Sequence, residues 1–258
     1  KIVSKGDEIQ DKSLQEIGGK GLFIKKLEQA LINNEADIAV HSLKDMEWKE
    51  TKGIEIAALL ERGSRKDILI SKYKSIYELP KNAKIGTSSV RRKAFILSER
   101  PDLNISMLRG NINTRINKYK SGKFDGIVIA KAGVDRLDIK TKYTEFDESI
   151  MLPSAGQGAI AVQCKSNNKK ILNLIRSLNH EQTKYETLAE RSFVFNLNGT
   201  CSSPIGASAK ISNEILELYG ALATPDGVLI TKNNISGFYK DAEKLGKDLA
   251  IKIINQMK

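Results

Sequence analysis

From Lys66 onward, short apolar runs and helix-like stretches alternate with a regularity that few folds satisfy. The runs at 67–71, 84–87, 104–108 and 124–130 read as buried strands, with helical stretches at 75–79, 89–99, 111–120 and 131–137. Repeated βα units predict a parallel sheet with helices on both faces. Ahead of them, Phe23, Leu27, Ala30 and Leu31 share one helical face, while 36–41 and 53–60 read as strands. After a loop at 153–158, the apolar run 159–164 has no partner nearby in sequence, so the chain is expected to return there to its first unit. Helices at 168–178 and 182–196 follow. The last part changes character: strands at 205–211, 214–223 and 228–236 are joined by short turns, one of them Pro225-Asp226-Gly227. A closing amphipathic helix carries Ala242, Leu245, Leu249, Ile253 and Met257 on one face.

The expected class is therefore α/β, with two α/β lobes and a small α+β unit built on an antiparallel sheet. The expected extents are 1–60 plus 154–178 for the first lobe, 65–150 for the second and 180–258 for the C-terminal unit. The chain opens at Lys1 without a Met, where 1–4 reads as the tail of a strand followed by a polar loop. An upstream strand and helix are expected to precede it.

Charge says what kind of partner to look for. Lys and Arg total 42 against 31 Asp and Glu, a formal net charge of +11, which implies an anionic partner. The chain uses 32 Lys but only ten Arg, and six of these (Arg91, Arg92, Arg100, Arg109, Arg115 and Arg136) fall in one stretch. A guanidinium binds carboxylate or phosphate through a planar fork, which an ammonium cannot do. Nucleic acid is disfavoured as the partner, because aromatics are only 6% of the chain and no binding motif is present. With two His and no paired-cysteine motif, a metal site is not expected. No apolar run approaches the roughly 18 residues that cross a bilayer. Two cysteines make no disulfide framework, which points to a reducing, cytoplasmic setting.

Ligands of open parallel sheets sit beyond the carboxyl ends of the strands. The strand 36–41 delivers Ser42, Lys44 and Asp45 to such an end. The strand ending near Gly86 delivers Thr87, Ser88 and Ser89 at a helix start, followed by Arg91 and Arg92. Hydroxyls and backbone N–H groups there favour an anion, although plain N-capping accounts for hydroxyls at a helix start equally well. Arg109 follows another strand, with Arg115 further along, and Arg136 rides the helix after 124–130. The 18–21 turn, which contains Lys20, lacks the spacing of a nucleotide-binding loop. His41 lies on an apolar strand and reads as a core residue. Cys164 reads as inert filling, whereas Cys201 stands in a loop of small residues and reads as an accessible thiol with no general base beside it.

Several segments, in order, resemble the porphobilinogen deaminase (hydroxymethylbilane synthase) family. They are Gly-Gly-Lys-Gly-Leu-Phe at 18–23, Ala-Asp-Ile-Ala-Val-His-Ser-Leu-Lys-Asp at 36–45, Gly-Thr-Ser-Ser-Val-Arg-Arg at 86–92, Leu-Arg-Gly-Asn at 108–111 with Thr-Arg at 114–115, Leu-Pro-Ser-Ala-Gly-Gln-Gly-Ala at 152–159, Ala-Glu-Arg at 189–191 and Pro-Ile-Gly-Ala at 204–207. The resemblance implies two lobes like type II periplasmic binding proteins and a C-terminal domain bearing a cysteine. It implies a dipyrromethane cofactor on Cys201 through a thioether, priming the condensation of four porphobilinogens with loss of ammonia to give hydroxymethylbilane. Asp45 would be the catalytic acid/base. Lys44, Ser42, Thr87, Ser89, Arg91 and Arg92 would hold the cofactor, while Arg109, Arg115, Arg136, Lys20 and Phe23 would meet substrate and the growing oligopyrrole. The implied protein is a cytoplasmic monomer of haem biosynthesis that uses neither membrane nor nucleic acid. Two departures stand out: Met46-Glu47-Trp48 follows Asp45 where a Val-Pro continuation is common, and Asn198-Gly199-Thr200 precedes Cys201 in place of a double glycine.

Overall fold

The computed structural model describes residues 21–48, 51–200 and 203–257. The expectations for 1–4, for Lys20 and for Cys201 lie outside these residues, as does the side chain of Phe23.

The first lobe starts with helix α1 (Gly21–Ile32), whose Ala30 and Leu31 are buried as their spacing predicts. Leu31 packs with Ala39 and Ile54 of the strands that follow, β1 (Ala39–Ser42) and β2 (Ile54–Leu59). Between these two strands of the sheet sits β8 (Ile160–Lys165), antiparallel to both. The apolar run after the 153–158 loop thus returns to the first lobe, as expected. Helix α5 (Lys169–Arg176) covers it, with Leu172 and Ile175 against Val162 and Cys164. Burial raises the Cys164 thiol pKa, and Glu55 adds to the rise, which suits a packing role.

The second lobe corrects one expectation. Its five-stranded sheet runs β5 (Asn104–Ser106), β4 (Lys84–Gly86), β6 (Gly126–Ala130), β3 (Asp67–Ser71), β7 (Thr144–Glu145). Strands β4, β5 and β6 are parallel, but β3 is antiparallel to β6 and to β7, so the sheet is mixed. The cause lies in 72–83, where a helix was expected and a single 3-10 turn (Ile76–Glu78) forms. A parallel neighbour needs a crossover along the sheet; here the chain turns back at the end where β3 finished. Helices α2 (Val90–Glu99), α3 (Ile112–Lys120) and the short α4 (Lys131–Arg136) fill the remaining connections. Ser89 caps α2 by accepting from the Arg92 N–H at 3.3 Å, and Asn111 caps α3 by accepting from the Thr114 N–H at 2.9 Å.

The C-terminal unit stacks helices α6 (Glu181–Asn196) and α7 (Ala242–Gln256) on the antiparallel sheet β11 (Ile230–Phe238), β10 (Ile215–Ala223), β9 (Ile205–Ser212). Ala242, Leu245, Leu249 and Ile253 of α7 are buried there with Phe193 and Leu218. Met257, expected on the same face, lies just past the last helical turn and is 45% exposed.

Two segments join the lobes, near 60–66 and 153–159. They run against each other, with the Leu60 N–H donating to the Ile160 carbonyl at 3.0 Å and the Gly63 N–H to the Gly158 carbonyl at 3.1 Å.

Candidate active site

Strand β1 ends in a 3-10 turn, Leu43–Asp45, at the edge of the cleft between the lobes. Leu43 anchors the turn: its side chain is 1% exposed, and its N–H donates to the Ala159 carbonyl at 3.0 Å. Lys44 and Asp45 follow it in the same turn. Lys44 Nζ donates to Gln157 Oε1 at 3.2 Å.

Two cavities meet at Asp45. The larger, about 480 Å³, carries Ser42, Lys44 and Asp45 on one wall and Ser88, Ser89, Arg91, Arg92, Arg109, Arg115 and Arg136 on the others. The smaller, about 330 Å³, shares Lys44, Asp45, Ser89, Arg91 and Ser154 with it. It then runs to Trp48, Arg191, Phe195, Gly199, Thr200 and Ser203, so the residues on both sides of the Cys201 loop border it. Five of the six clustered arginines reach the larger cavity. Arg100 does not; it pairs with Asp102 at 2.7 Å and donates to the carbonyls of Ile76 and Leu79.

The five arginines are not equivalent. Arg91 and Arg92 are almost fully buried and converge on Asp67, which is fully enclosed. Arg91 Nη2 donates to Asp67 Oδ2 at 2.7 Å, and Arg92 donates to Asp67 Oδ1 through Nη2 at 2.8 Å and Nε at 3.1 Å. Gln157 Nε2 completes the shell of Asp67 at 2.9 Å. Burial opposes the charged form of Asp67, but the two arginine charges and these hydrogen bonds prevail and hold its pKa far below the usual carboxylate range. Arg91 Nε is buried and has no partner among the described residues.

Toward the opening, Arg115 donates through Nε to the Gly110 carbonyl at 2.7 Å. Its pKa is pushed down to about 10, chiefly by burial and by the Arg92 charge, with Asp45 acting the other way. Arg136 Nη2 donates to the Gly158 carbonyl at 2.5 Å. Arg109 Nη1 is buried without a partner among the described residues. A desolvated guanidinium N–H with no acceptor is costly, and an incoming carboxylate removes that cost.

Thr87 is buried and accepts from the Ser89 N–H at 3.2 Å, while Ser89 caps α2 and still borders both cavities. Asp67 and Gln157 were not picked out from the sequence. The signals the sequence offers are an acid opening an apolar strand and a glutamine in the 152–159 segment. His41 is buried as expected; burial lowers its pKa most, with Glu28 acting in the opposite direction. Among the described residues, no three His, Cys, Asp or Glu side chains gather as metal ligands, and no helix is long and apolar enough to cross a membrane.

A cleft between two α/β lobes, walled by forked cations around one carboxylate and bordered by a loop of a third unit, has the chemistry of a binding cleft for a polycarboxylate. Residues 1–173 match the family described as "Porphobilinogen deaminase, dipyromethane cofactor binding domain" and residues 184–255 match "Porphobilinogen deaminase, C-terminal domain". Curated porphobilinogen deaminases are similar over nearly the whole chain. That of Buchnera aphidicola subsp. Acyrthosiphon pisum (strain Tuc7) is 46% identical over 98% of this chain and 81% of its own length. That of Bacillus subtilis (strain 168) is 43% identical over 96% and 80%. The chain belongs to the porphobilinogen deaminase family. It is a transferase of tetrapyrrole biosynthesis that deaminates and condenses porphobilinogen, and it has the family's dipyrromethane-binding domain. Among solved structures, the probable amino-acid ABC transporter binding protein ytmK of Bacillus subtilis aligns with a TM-score of 0.35 at 17% identity, over 66% of this chain and 75% of that one. A likeness of that size carries no argument about ligand or activity.

The residues fit the cofactor. A dipyrromethane presents carboxylates and pyrrole N–H groups; the larger cavity offers forked cations for the first, including the unpartnered Arg109 Nη1, and Asp45 for the second.

Proposed function

We propose that Asp45 is the catalytic acid/base of the condensation and that Cys201 carries the dipyrromethane through a thioether. The observation that supports this most is the position of Asp45 at the junction of two cavities, one bordered by Thr200 and Ser203, the other by five arginines. When bound, the dipyrromethane supplies a nucleophilic pyrrole carbon and a covalent tether, so the chain need not be recaptured at each addition.

The protein's own residues do the rest. Lys44, Ser42, Thr87, Ser89, Arg91 and Arg92 hold the cofactor. Arg109, Arg115 and Arg136 receive the carboxylates of incoming porphobilinogen, and Lys20 and Phe23 complete that binding surface. Each added ring brings two more carboxylates, and forked donors offset that growing charge better than hydrated ammonium groups do. Loss of ammonia from porphobilinogen leaves positive charge on the ring and its methylene carbon. A carboxylate fixed beside the ring N–H stabilises that charge as it develops, an effect of roughly 3 kcal/mol in preorganised sites. Asp45 then takes the proton released when aromaticity returns.

The three domains are taken as 1–60 plus 154–178, 65–150 and 180–258. The protein works as a cytoplasmic monomer on porphobilinogen and its oligopyrroles, without membrane or nucleic acid.

Asp45→Asn tests the assignment. Its turnover should fall by about two orders of magnitude, matching the loss of one preorganised charge, while the cofactor mass remains on the polypeptide. Digestion of the wild-type protein should find that mass on the peptide containing Cys201. Wild-type turnover in Asp45→Asn, or the cofactor on another residue, would refute the reading.

A further inference from the structure

The turn that carries Asp45 is held from two units of the molecule. Upstream, β1 and the buried Leu43 fix it. Downstream, the Met46 N–H donates to the Leu43 carbonyl at 3.0 Å and its side chain packs with Leu43 and Ala159, whereas Glu47 and Trp48 contain nothing that restricts φ as a proline would. That stretch is held from outside, by helix α6. Arg191 donates through Nη2 to the Glu47 carbonyl at 2.5 Å, and its guanidinium lies over the Trp48 ring, 5.7 Å from the centroid. One helical turn further on, Phe195 stacks on the same indole, with centroids 5.2 Å apart and planes 20° from parallel. Arg191 and Phe195 are thus an i, i+4 pair on α6 of the C-terminal unit that engages a single side chain from the first lobe. The same helix runs out at Asn196 into Leu197–Thr200, which leads to Cys201.

We propose that Trp48, held by Arg191 and Phe195, is a positioning residue that fixes the Asp45 turn relative to the helix feeding the Cys201 loop. The inference rests on the assignment of Asp45 and Cys201 above. The turn that carries Asp45 and the helix that leads toward Cys201 belong to different units of the molecule, and Trp48, Arg191 and Phe195 all border the smaller cavity that Asp45 also lines. A carboxylate that must meet each successive ring N–H at one place gains from such a brace, because a small misplacement of a catalytic group costs rate more than affinity. Trp48 does not act on substrate itself; it acts through Asp45.

The test uses holoenzyme whose cofactor load is measured by intact mass, with rates expressed per loaded molecule. Trp48→Ala should load fully, keep KM for porphobilinogen within about twofold and lose kcat about tenfold, the pattern of a contact that matters in the transition state. Trp48→Phe, which keeps a stacking ring, should restore most of kcat. Phe195→Leu leaves the Trp48 side chain intact and should lower kcat part of the way. Trp48 is the chain's single tryptophan, so its emission reports the brace directly. In Phe195→Leu the emission should move to the red and become easier to quench. Unchanged kcat in Trp48→Ala would overturn the proposal. So would a rise in KM at constant kcat, which would make Trp48 a binding surface, or a loss that Trp48→Phe fails to restore. If Asp45→Asn itself keeps full turnover, the underlying assignment falls, whatever the Trp48 variants do.

Discussion

Asp67 shows what a single buried charge does for this cleft. It faces Arg91 and Arg92 together, and without it two enclosed guanidinium groups would repel each other across a few ångströms of protein. Removing one partner of a buried ion pair typically costs about 3–5 kcal/mol, and Asp67→Asn should lose at least that much unfolding free energy at pH 7. The sign of the pH dependence follows from its depressed pKa. An unfolded aspartate titrates near 3.8, whereas folded Asp67 stays charged far below that. Its contribution is therefore complete above about pH 4 and drains away as the pH falls further toward the folded value. Urea unfolding of wild type and Asp67→Asn should give curves far apart at pH 7 that converge below pH 4. A gap independent of pH would show that the Asp67 charge is not its source.

Among the elements, α6 does the most joining. Glu190, 0% exposed on its inner face, receives Arg62 Nη1 at 2.8 Å and Nη2 at 2.9 Å, the Gly156 N–H at 2.8 Å and the Ala209 N–H at 2.9 Å. One carboxylate thereby ties both lobe-joining segments and β9 to a single helix. Burial weakens the Arg62 cation, yet Glu190 and Glu186 more than make up for it and its pKa is raised. Glu190→Gln should cost about 3 kcal/mol or more, and the Gly156 and Ala209 amides should lose hydrogen-exchange protection together. Loss at one amide alone would mean that the two attachments are independent. How much of this could be read from the chain depended on element direction. Periodicity located most strands and helices within a few residues, but not the short β7, and it took the 3-10 turn at 76–78 for a helix. The strand-end rule picked out Asp45, Arg109, Arg115 and Arg136, which border the cleft. The rule does not reach Asp67, because βα alternation implies a parallel β3, whose first residue would lie at the opposite end of the sheet. Running antiparallel, β3 brings its first residue opposite Ala130 at the carboxyl end of β6, where Arg92 already points. Gln157 was missed in the same way, since it lies just ahead of β8, whose Ile160 pairs with Ser42 at the end of β1. Trp48 and Phe195 lie far apart in sequence, and no local pattern pairs them.

At the scale of the whole molecule, the lobes are related through the crossing of their two connections, and that crossing depends on Gly158. Its φ of +89° is one that side chains rarely adopt, and a Cβ there would lie 2.5 Å from the Gly63 carbonyl oxygen and 2.7 Å from that of Ser64. Both obstacles are backbone, so no rotamer change relieves them. The Gly158 carbonyl also accepts from the Gly63 N–H and from Arg136, so the contact between the two connections also holds an arginine of the cleft. Gly158→Ala should therefore do two things: lower stability by about 1–3 kcal/mol through backbone strain, and reduce kcat/KM for porphobilinogen by about tenfold or more as Arg136 is displaced, a loss of at least ~1.4 kcal/mol in transition-state binding. Gly53→Ala is the control. Gly53 has nearly the same φ, +86°, but nothing within 4 Å of where its Cβ would stand. It should bear the strain alone and keep its activity. If both variants lose activity equally, strain and not the crossing is responsible; if neither does, the position of Arg136 does not depend on the contact between the connections.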